Sequence, residues 1–334
     1  MSEFRIDQIK SQDASRGPDV AGITTFTGTS GIVMPSGPTE YRGGRGRGIA
    51  GGGSPGPNTI AYVTIATTGN AEDFGDLSNG VNNGGGCAGS TRGVFIGGNP
   101  FLNDIDYVTI QSTGNALEFG DLSNEIRQNG AVANSTRGLN LGGQKTPGVT
   151  VPTIEYITFA TKGDATFFGD FRTGWASHPA GAGSPTRGLA GGGNNPSTTN
   201  NIDYITFSTL GNSQYFGDLS AAKWGVIAFS SSTRAVFGGG YASPVTDAIE
   251  YVTITSQGNA VDFGNLSQIN YLMGAASSQT RGLFINGYAG SPLTRVNTIE
   301  YVTIATTGNA TDFGDMPMTT YNPVAFSDAH GGIG

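Results

Sequence analysis

The stretch Thr59–Ser78, TIAYVTIATTGNAEDFGDLS, returns near the other end of the chain as TIEYVTIATTGNATDFGDMP (Thr298–Pro317), with four of twenty positions changed. Four looser copies lie between them, beginning at Asp104, Thr153, Asn201 and Ala248. Each copy carries one Tyr: Tyr62, Tyr107, Tyr156, Tyr204, Tyr251 and Tyr301. Each has a Phe twelve residues later: Phe74, Phe119, Phe168, Phe216, Phe263 and Phe313. A fixed period in the forties means a repeat architecture, and this constrains the fold more than any other feature.

A second signature stands upstream of each Tyr: an Arg, a small residue, a short apolar run and a Gly pair, as in STRGVFIGG at 90–98 and STRAVFGGG at 232–240. The six Arg are Arg47, Arg92, Arg137, Arg187, Arg234 and Arg281, spaced 45, 45, 50, 47 and 47 apart. Four strand signals fall in each copy. Strand one is short and small (GAVA at 130–133, VIAF at 226–229, GAAS at 274–277) and strand two ends at the Gly pair. Strand three carries Tyr-Val-Thr-Ile, and a TGNA-type turn, where Gly and Asn tolerate φ > 0, leads into strand four with its Phe-Gly-Asp. Four antiparallel strands repeated six times predict an all-β chain, a six-bladed β-propeller. Its inner strands should surround a narrow channel, and the Tyr and Phe of each copy should pack between blades. An α-solenoid is excluded by the 56 Gly, and a β-helix has a much shorter period.

Length alone (334 residues) suggests two domains, but repeats bury their apolar faces only against their neighbours. The boundaries expected are an extended arm over residues 1–40, with too little apolar surface for its own core, and a propeller over 41–334. A net charge of −8 argues against nucleic acid or an anionic membrane as partner. One cysteine, Cys87, excludes an intrachain disulfide framework. The start MSEFRIDQIK has no apolar h-region, so no signal peptide is expected, and no run approaches membrane-spanning length.

The apolar run into Gly-Gly, then Tyr, then an aromatic marking strand four, resembles kelch repeats. It departs from them in having Phe rather than Trp and a longer Tyr-to-aromatic interval. The chain more closely resembles kelch-like repeat proteins of marine tailed bacteriophages, especially cyanophages, in which runs like IDYVTIATTGNATDFGDL and STRGVFGGG recur. The arm, with RIDQI, SRGPDVAGI and TFTGTSGIVMPSG, looks like the start of a phage virion protein. The resemblance implies a virion structural protein made in the host cytoplasm, docked to other virion proteins through the arm.

The end PVAFSDAHGGIG (323–334) aligns with VIAFSSSTRAVFGGG, whereas the first copy lacks a strand one. The C-terminal strand is therefore expected to complete the first blade, with His330 at the position of the repeated Arg.

Catalytic chemistry is sparse. His178 and His330 are far apart in the repeat, with no Cys, Asp or Glu at metal-ligand spacing, so neither a metal site nor a cofactor is expected. The copper ligands and Tyr–Cys pair of galactose-oxidase relatives and the Asp-box of sialidase propellers are missing. Asp106, Glu155, Asp203, Glu250 and Glu300 share one repeat position before the Tyr, which suggests a structural role rather than a carboxylate pair for hydrolysis. The repeated Arg reads either as an anion-binding ring or, preferably, as a cap on carbonyls between blades. GGRGRG at 43–48 looks like an RNA-binding tract, but it falls at a strand turn of an acidic chain. No enzyme is expected.

What varies among copies is more telling. Arg-to-Tyr spacing runs 15, 15, 19, 17, 17 and 20, so length variation sits in the loop between strands two and three. Antiparallel geometry puts that loop on the same face as the strand-four-to-one connection. On that connection, about eight residues after the Phe, stand Trp175, Trp224, Tyr271 and Tyr321, while Tyr241 and Tyr288 lie on the variable loops. These six residues are the candidate ligand-binding face. They serve either to bind, with a host-surface glycan as the candidate ligand, or to plug the channel mouth. The functional expectation is a tail or tail-fibre component presenting this face to the host. The alternative is a capsid decoration or adaptor protein that contacts only other virion proteins.

Overall fold

Short apolar runs cut by Gly, Asn and Ser-Thr turns make each copy a set of brief antiparallel strands rather than anything longer. The computed structural model describes residues 46–172, 177–194 and 197–333, which belong to one compact unit, Gly37–Gly334. The arm expected over residues 1–40 lies outside the described residues, as does Trp175. In chain order, the first copy gives β1 (Arg47–Gly51), β2 (Thr59–Thr64) and β3 (Glu72–Asp76). The second gives β4 (Gly85–Ala88), β5 (Arg92–Gly98), β6 (Leu102–Thr109) and β7 (Leu117–Arg127). The third gives β8 (Gly130–Ala133), β9 (Arg137–Lys145), β10 (Val149–Thr158) and β11 (Thr166–Asp170). Then come β12 (Ala180–Gly183), β13 (Arg187–Gly191), β14 (Asn201–Thr206) and β15 (Gln214–Asp218). The fifth set is β16 (Ile227–Ser230), β17 (Arg234–Gly238), β18 (Ala248–Thr253) and β19 (Val261–Asn265). The last copy holds β20 (Asn270–Tyr271), β21 (Gly274–Ser277), β22 (Arg281–Ile285), β23 (Tyr288–Ala289), β24 (Thr294–Thr303) and β25 (Thr311–Thr320), followed by β26 (Val324–Ser327).

The architecture is all-β, a propeller-like arrangement of four-stranded antiparallel sheets. Separate four-stranded blades, as the repeats predict, are met only in part. Hydrogen bonding gives three four-stranded sheets, β26-β1-β2-β3, β12-β13-β14-β15 and β16-β17-β18-β19, with one sheet of eight strands and one of six. The larger ones have a local cause. Strand β7 runs on past its own set and pairs with β9 at Ile126↔Lys145 and Arg127↔Gln144. In the six-stranded sheet, the long loop after β22 folds into β23, which pairs with both β20 and β24.

The inner strands β26, β4, β8, β12, β16 and β21 each pack on the next, and β21 packs back on β26. They enclose an axial cavity of about 130 Å³ lined by small side chains, including Cys87, Ala131, Ala182 and Ser277. Small residues are needed there: a Cβ on Gly181 would stand 2.0 Å from the Ala131 carbonyl oxygen. Apolar clusters fill the spaces between successive sets. One unites Ile60 and Phe74 with Phe95 and Val108; another unites Phe313 and Leu283 with Ala50 and Val63. Burying each Phe contributes roughly 1.5–3 kcal/mol of transfer free energy. Every repeat Tyr meets its Phe edge-on, at centroid distances from 5.9 Å for Tyr251–Phe263 to 6.4 Å for Tyr204–Phe216.

The invariant twelve-residue interval has a physical cause. It spans the TGNA turn, and that turn docks on strand four of the preceding set. Gly114 donates to the Phe74 carbonyl at 2.7 Å and Ala116 to the Asp76 carbonyl at 2.8 Å. The turn's Asn115 Oδ1 accepts from the Asp76 backbone N–H at 3.0 Å. The same bond recurs at Asp164, Asn212, Asn259 and Asn309, and Asn70 makes it to Asp315 across the seam. The turn Asn therefore works through its side-chain oxygen, not through the positive φ expected for it; among the described residues none of these has one.

The repeated Arg is a carbonyl cap between sets. Arg47, Arg92, Arg137, Arg187, Arg234 and Arg281 donate from Nη1 to Ile110, Phe159, Phe207, Ile254, Ile304 and Ile65 respectively, at 2.6–2.9 Å. Each guanidinium also lies over the Tyr of its own set, as Arg234 does over Tyr251 at 4.2 Å. The carboxylates before the Tyr are structural too: Glu155 accepts from the Ser123 N–H, Glu300 from Ser267, and Glu250 from Ser220 and the buried Lys223 ammonium.

Strand β26 pairs with β1 from Gly48↔Ser327 to Gly51↔Val324. His330 does not take the place of a repeated Arg, because Arg47 already holds it in that sheet. The chain instead turns into the axis and touches every set. Asp328 accepts from the Arg47 N–H (2.9 Å), His330 donates from Nε2 to the Ala88 carbonyl (2.7 Å), and Gly331 donates to Ser230 (3.0 Å). Gly332 lies against the Ala133 carbonyl, Gly331 also lies against the Gly183 carbonyl, and Gln279 donates to the His330 carbonyl at 3.0 Å. His330 Nδ1 accepts from Gly332 N–H at 3.1 Å, so the neutral Nε2–H ring satisfies both ends, and burial lowers its pKa. One mouth of the channel is thus stoppered by the chain itself.

Candidate binding face

The opposite mouth is built by a turn that recurs in each set. Asn83, Gln128, His178, Gly225, Leu272 and Asn322 occupy equivalent places where the chain enters an inner strand, all with φ between 55° and 62°. They form a hoop, and five of its six steps carry a backbone hydrogen bond: Gln128 N–H to Asn83 (2.6 Å), His178 to Gln128 (2.7 Å), Leu272 to Gly225 (2.9 Å), Asn322 to Leu272 (2.5 Å) and Asn83 to Asn322 (3.4 Å). A left-handed Leu costs about 1–2 kcal/mol, which the surrounding hoop must offset.

The residue before each hoop position pairs with the residue just beyond a Gly pair, or beyond Asn286–Gly287 in the last set. The pairs are Asn82 with Asn99, Arg127 with Gln144, Ser177 with Asn194, Trp224 with Tyr241, Tyr271 with Tyr288, and Tyr321 with Ser54. Left-handed backbone at the first of these two positions makes this approach possible, supplied by Gly in five sets and by Asn286 (φ 59°) in the last. Gly239 has φ 63°, and a Cβ on it would sit 2.3 Å from the Asn270 carbonyl oxygen.

Five of the six sequence-predicted residues are brought together by this arrangement. Ring centroids are 5.7 Å apart for Trp224–Tyr241, 5.5 Å for Trp224–Tyr271, 5.9 Å for Tyr241–Tyr271, 5.9 Å for Tyr271–Tyr288 and 5.4 Å for Tyr288–Tyr321. His178 extends the arc, 5.3 Å from Trp224, and the Arg295 guanidinium lies over Tyr321 at 5.8 Å. Tyr241 is the most exposed of the five at 36%; the others are partly exposed. Burial and the neighbouring phenols raise the Tyr271 pKa, so its hydroxyl stays protonated across the neutral range. The sixth, Trp175, lies outside the described residues, and Ser177 holds the position equivalent to Trp224.

The other half of the rim went unnoticed in the sequence. Asn82, Asn99, Arg127, Gln144, Ser177 and Asn194 make it polar. Their signal was positional: eight or nine residues past the Phe, or one past the Gly pair. His178, at the border between halves, is pushed down to about pKa 4 by burial and then by the Arg127 charge. Its Nε2 lies 3.4 Å from Asn83 Oδ1. The face can thus offer stacking surface on one side and amide and guanidinium hydrogen bonding on the other. Among the described residues no group of three or more His, Cys, Asp or Glu could hold a metal ion.

No family model matches the chain, and no curated protein matches it. Among solved structures, that of YjhT is similar with a TM-score of 0.60 at 12% identity, over 74% of this chain and 87% of that one. At that identity the likeness concerns the fold alone.

Proposed function

We propose that the chain is a phage virion protein, a tail or tail-fibre component whose aromatic face attaches to a glycan on the host surface. The observation that carries the reading is the unbroken arc Trp224, Tyr241, Tyr271, Tyr288 and Tyr321 on one rim of a rigid ring. Sugar rings stack their C–H faces on partly exposed aromatics while their hydroxyls keep hydrogen bonds at a polar rim. A plug at the mouth does not require such exposure. The virion assignment rests on the resemblance of the repeats and of the first forty residues to phage kelch-like proteins. The ring is read as a six-bladed kelch-like propeller over 41–334; six sequence copies and the closed circuit of inner strands support that count. Residues 1–40 are the proposed virion anchor, with other virion proteins as partners.

The test is adsorption. Trp224→Ala with Tyr271→Ala should leave virion assembly intact while lowering host adsorption at least tenfold, since truncated aromatic anchors each cost about 2 kcal/mol. Well-folded mutant particles that adsorb like the parent would sink the attachment reading. A second reading, a decoration or adaptor protein, is favoured by exposed apolar residues on or beside the outer strands, Leu117 (58%), Phe167 (56%) and Val261 (51%). Unchanged adsorption with loss of particle incorporation after Leu117→Ser and Phe167→Ser would favour it.

A further inference from the structure

Arg127 stands on the polar rim without a counter-ion: no salt bridge to it occurs among the described residues. It is nevertheless built in. Its guanidinium rests on the Phe101 ring at 4.4 Å. Nε and Nη2 donate to Gln144 Oε1 at 3.2 and 3.1 Å, and Nη1 donates to Asn99 Oδ1 at 3.3 Å. Those bonds use three of the five guanidinium donors, leaving one N–H on each terminal nitrogen. All its partners are neutral, so they orient the group and leave its charge unneutralised. A half-buried, pre-oriented cation of this kind is costly unless something anionic visits it. The Arg is also not the repeat's own capping Arg; the equivalent rim positions hold Asn82, Ser177, Trp224, Tyr271 and Tyr321. At the far end of the aromatic arc, Arg295 is exposed over Tyr321 and likewise has no carboxylate partner among the described residues.

From this juxtaposition we infer that the face selects an acidic polysaccharide, one containing uronic acids. A sugar carboxylate is taken by the free N–H pair of Arg127, and neighbouring sugar rings stack along Trp224, Tyr271, Tyr288 and Tyr321. A planar carboxylate can accept two N–H groups from one guanidinium in a bidentate pair. The polymer crosses the rim from its polar half to its aromatic half, and Arg295 receives a second carboxylate further along. His178 lies where the two halves meet, beside Ser177 of the polar half. The neutral His178 ring, already bonded to Ser177 and Asn83, adds no second positive charge there. An acidic chain of net charge −8 would otherwise repel such a polymer, so a local cation is what attraction requires.

This inference rests on the glycan-attachment reading and adds the charge of the ligand. It is tested on the purified full chain by calorimetry with oligogalacturonate, oligoalginate and hyaluronan fragments. The carboxyl methyl ester of each serves as an uncharged twin. The expected result is binding of at least one acid about tenfold or more tighter than its ester, as a charge-assisted pair gives. Arg127→Gln should abolish that difference, and Arg127→Lys should restore part of it. Melting temperatures of both variants confirm folding. Equal binding of acid and ester, or a preference that survives in folded Arg127→Gln, overturns the carboxylate site and leaves glycan attachment standing. Binding of none of the acids also overturns it, and attachment itself is then judged separately by adsorption of the Trp224 and Tyr271 variant.

Discussion

Arg281 donates from Nη1 to the carbonyl oxygen of Ile65 at 2.9 Å, joining the last copy of the repeat to the first over 216 residues of sequence. Its guanidinium meanwhile lies 4.4 Å from the centroid of Tyr301. Arg137 makes the same two contacts inside the chain, with Phe207 and Tyr156. In a closed ring the seam is an interface like any other. Arg281→Met and Arg137→Met should therefore each destabilise by a similar amount, about 1–3 kcal/mol, because each leaves a carbonyl uncapped. Denaturant unfolding measures both. A seam substitution without effect beside a costly internal one would mean the ring is open at that point.

Gly282 lies under Phe229, where an added Cβ would stand 1.8 Å from the ring. Gly258, in a TGNA-type turn, has nothing within 4 Å of its Cβ position. Gly282→Ala should lower stability by about 1–3 kcal/mol through overpacking, while Gly258→Ala should stay within about 0.5 kcal/mol of the parent. Thermal melts of the two variants distinguish interface packing from loss of glycine in general.

His178 is neutral in the folded chain, with its pKa pushed down to about 4 from an ordinary 6.5. The unfolded chain therefore binds a proton first as pH falls. The stability this neutral ring contributes is complete above pH 6.5 and is lost as pH falls from 6.5 toward 4. Allowing for partial exposure, the loss is about 1–2 kcal/mol. Asn tolerates the left-handed backbone at this position (φ 55°), so His178→Asn should fold and show a flatter stability curve between pH 6.5 and 4. Identical slopes for parent and variant would refute the assignment.

Two truncations separate strand from stopper. Ending the chain after Ser327 keeps β26 and removes only the segment in the axis; ending it after Tyr321 removes β26 as well. The first should lower the melting temperature by several degrees. The second should be far more damaging, since it uncovers β1 and the Phe95–Phe326 contact at 5.0 Å. Equal effects would place all the stabilisation in the stopper.

Period and closing strand were legible because they are written as exact spacings, and the fixed Tyr-to-Phe interval proved to be the distance over which a turn must reach its neighbour. The arc Trp224–Tyr321 was legible because aromatic residues stood out at one repeat position. The polar rim was not, since Asn82 or Ser177 says nothing without knowledge of which residues it faces. The turn Asn was misjudged in conformation because its side chain bonds between sets, which local turn preference cannot report. The merging of sheets at Arg127↔Gln144 was invisible for the same reason: it depends on how far β7 continues before it bends. His330 aligned with the repeated Arg by spacing alone, but Arg47 had already taken that place.

The Arg47 N–H and the Asp328 carboxylate that accepts from it are 281 residues apart. The ring therefore cannot be sealed until the segment carrying Asp328 has left the ribosome, and its partial forms carry two bare sheet edges. Closure over so long a loop is slow, because the entropy of bringing the ends together is lost before any seam contact forms. Opening is slow as well, since the axial segment must be withdrawn from every set before the seam can part. A protein made this way is expected to be late to mature and long-lived once finished, its endurance a matter of rates rather than of depth in the free-energy well.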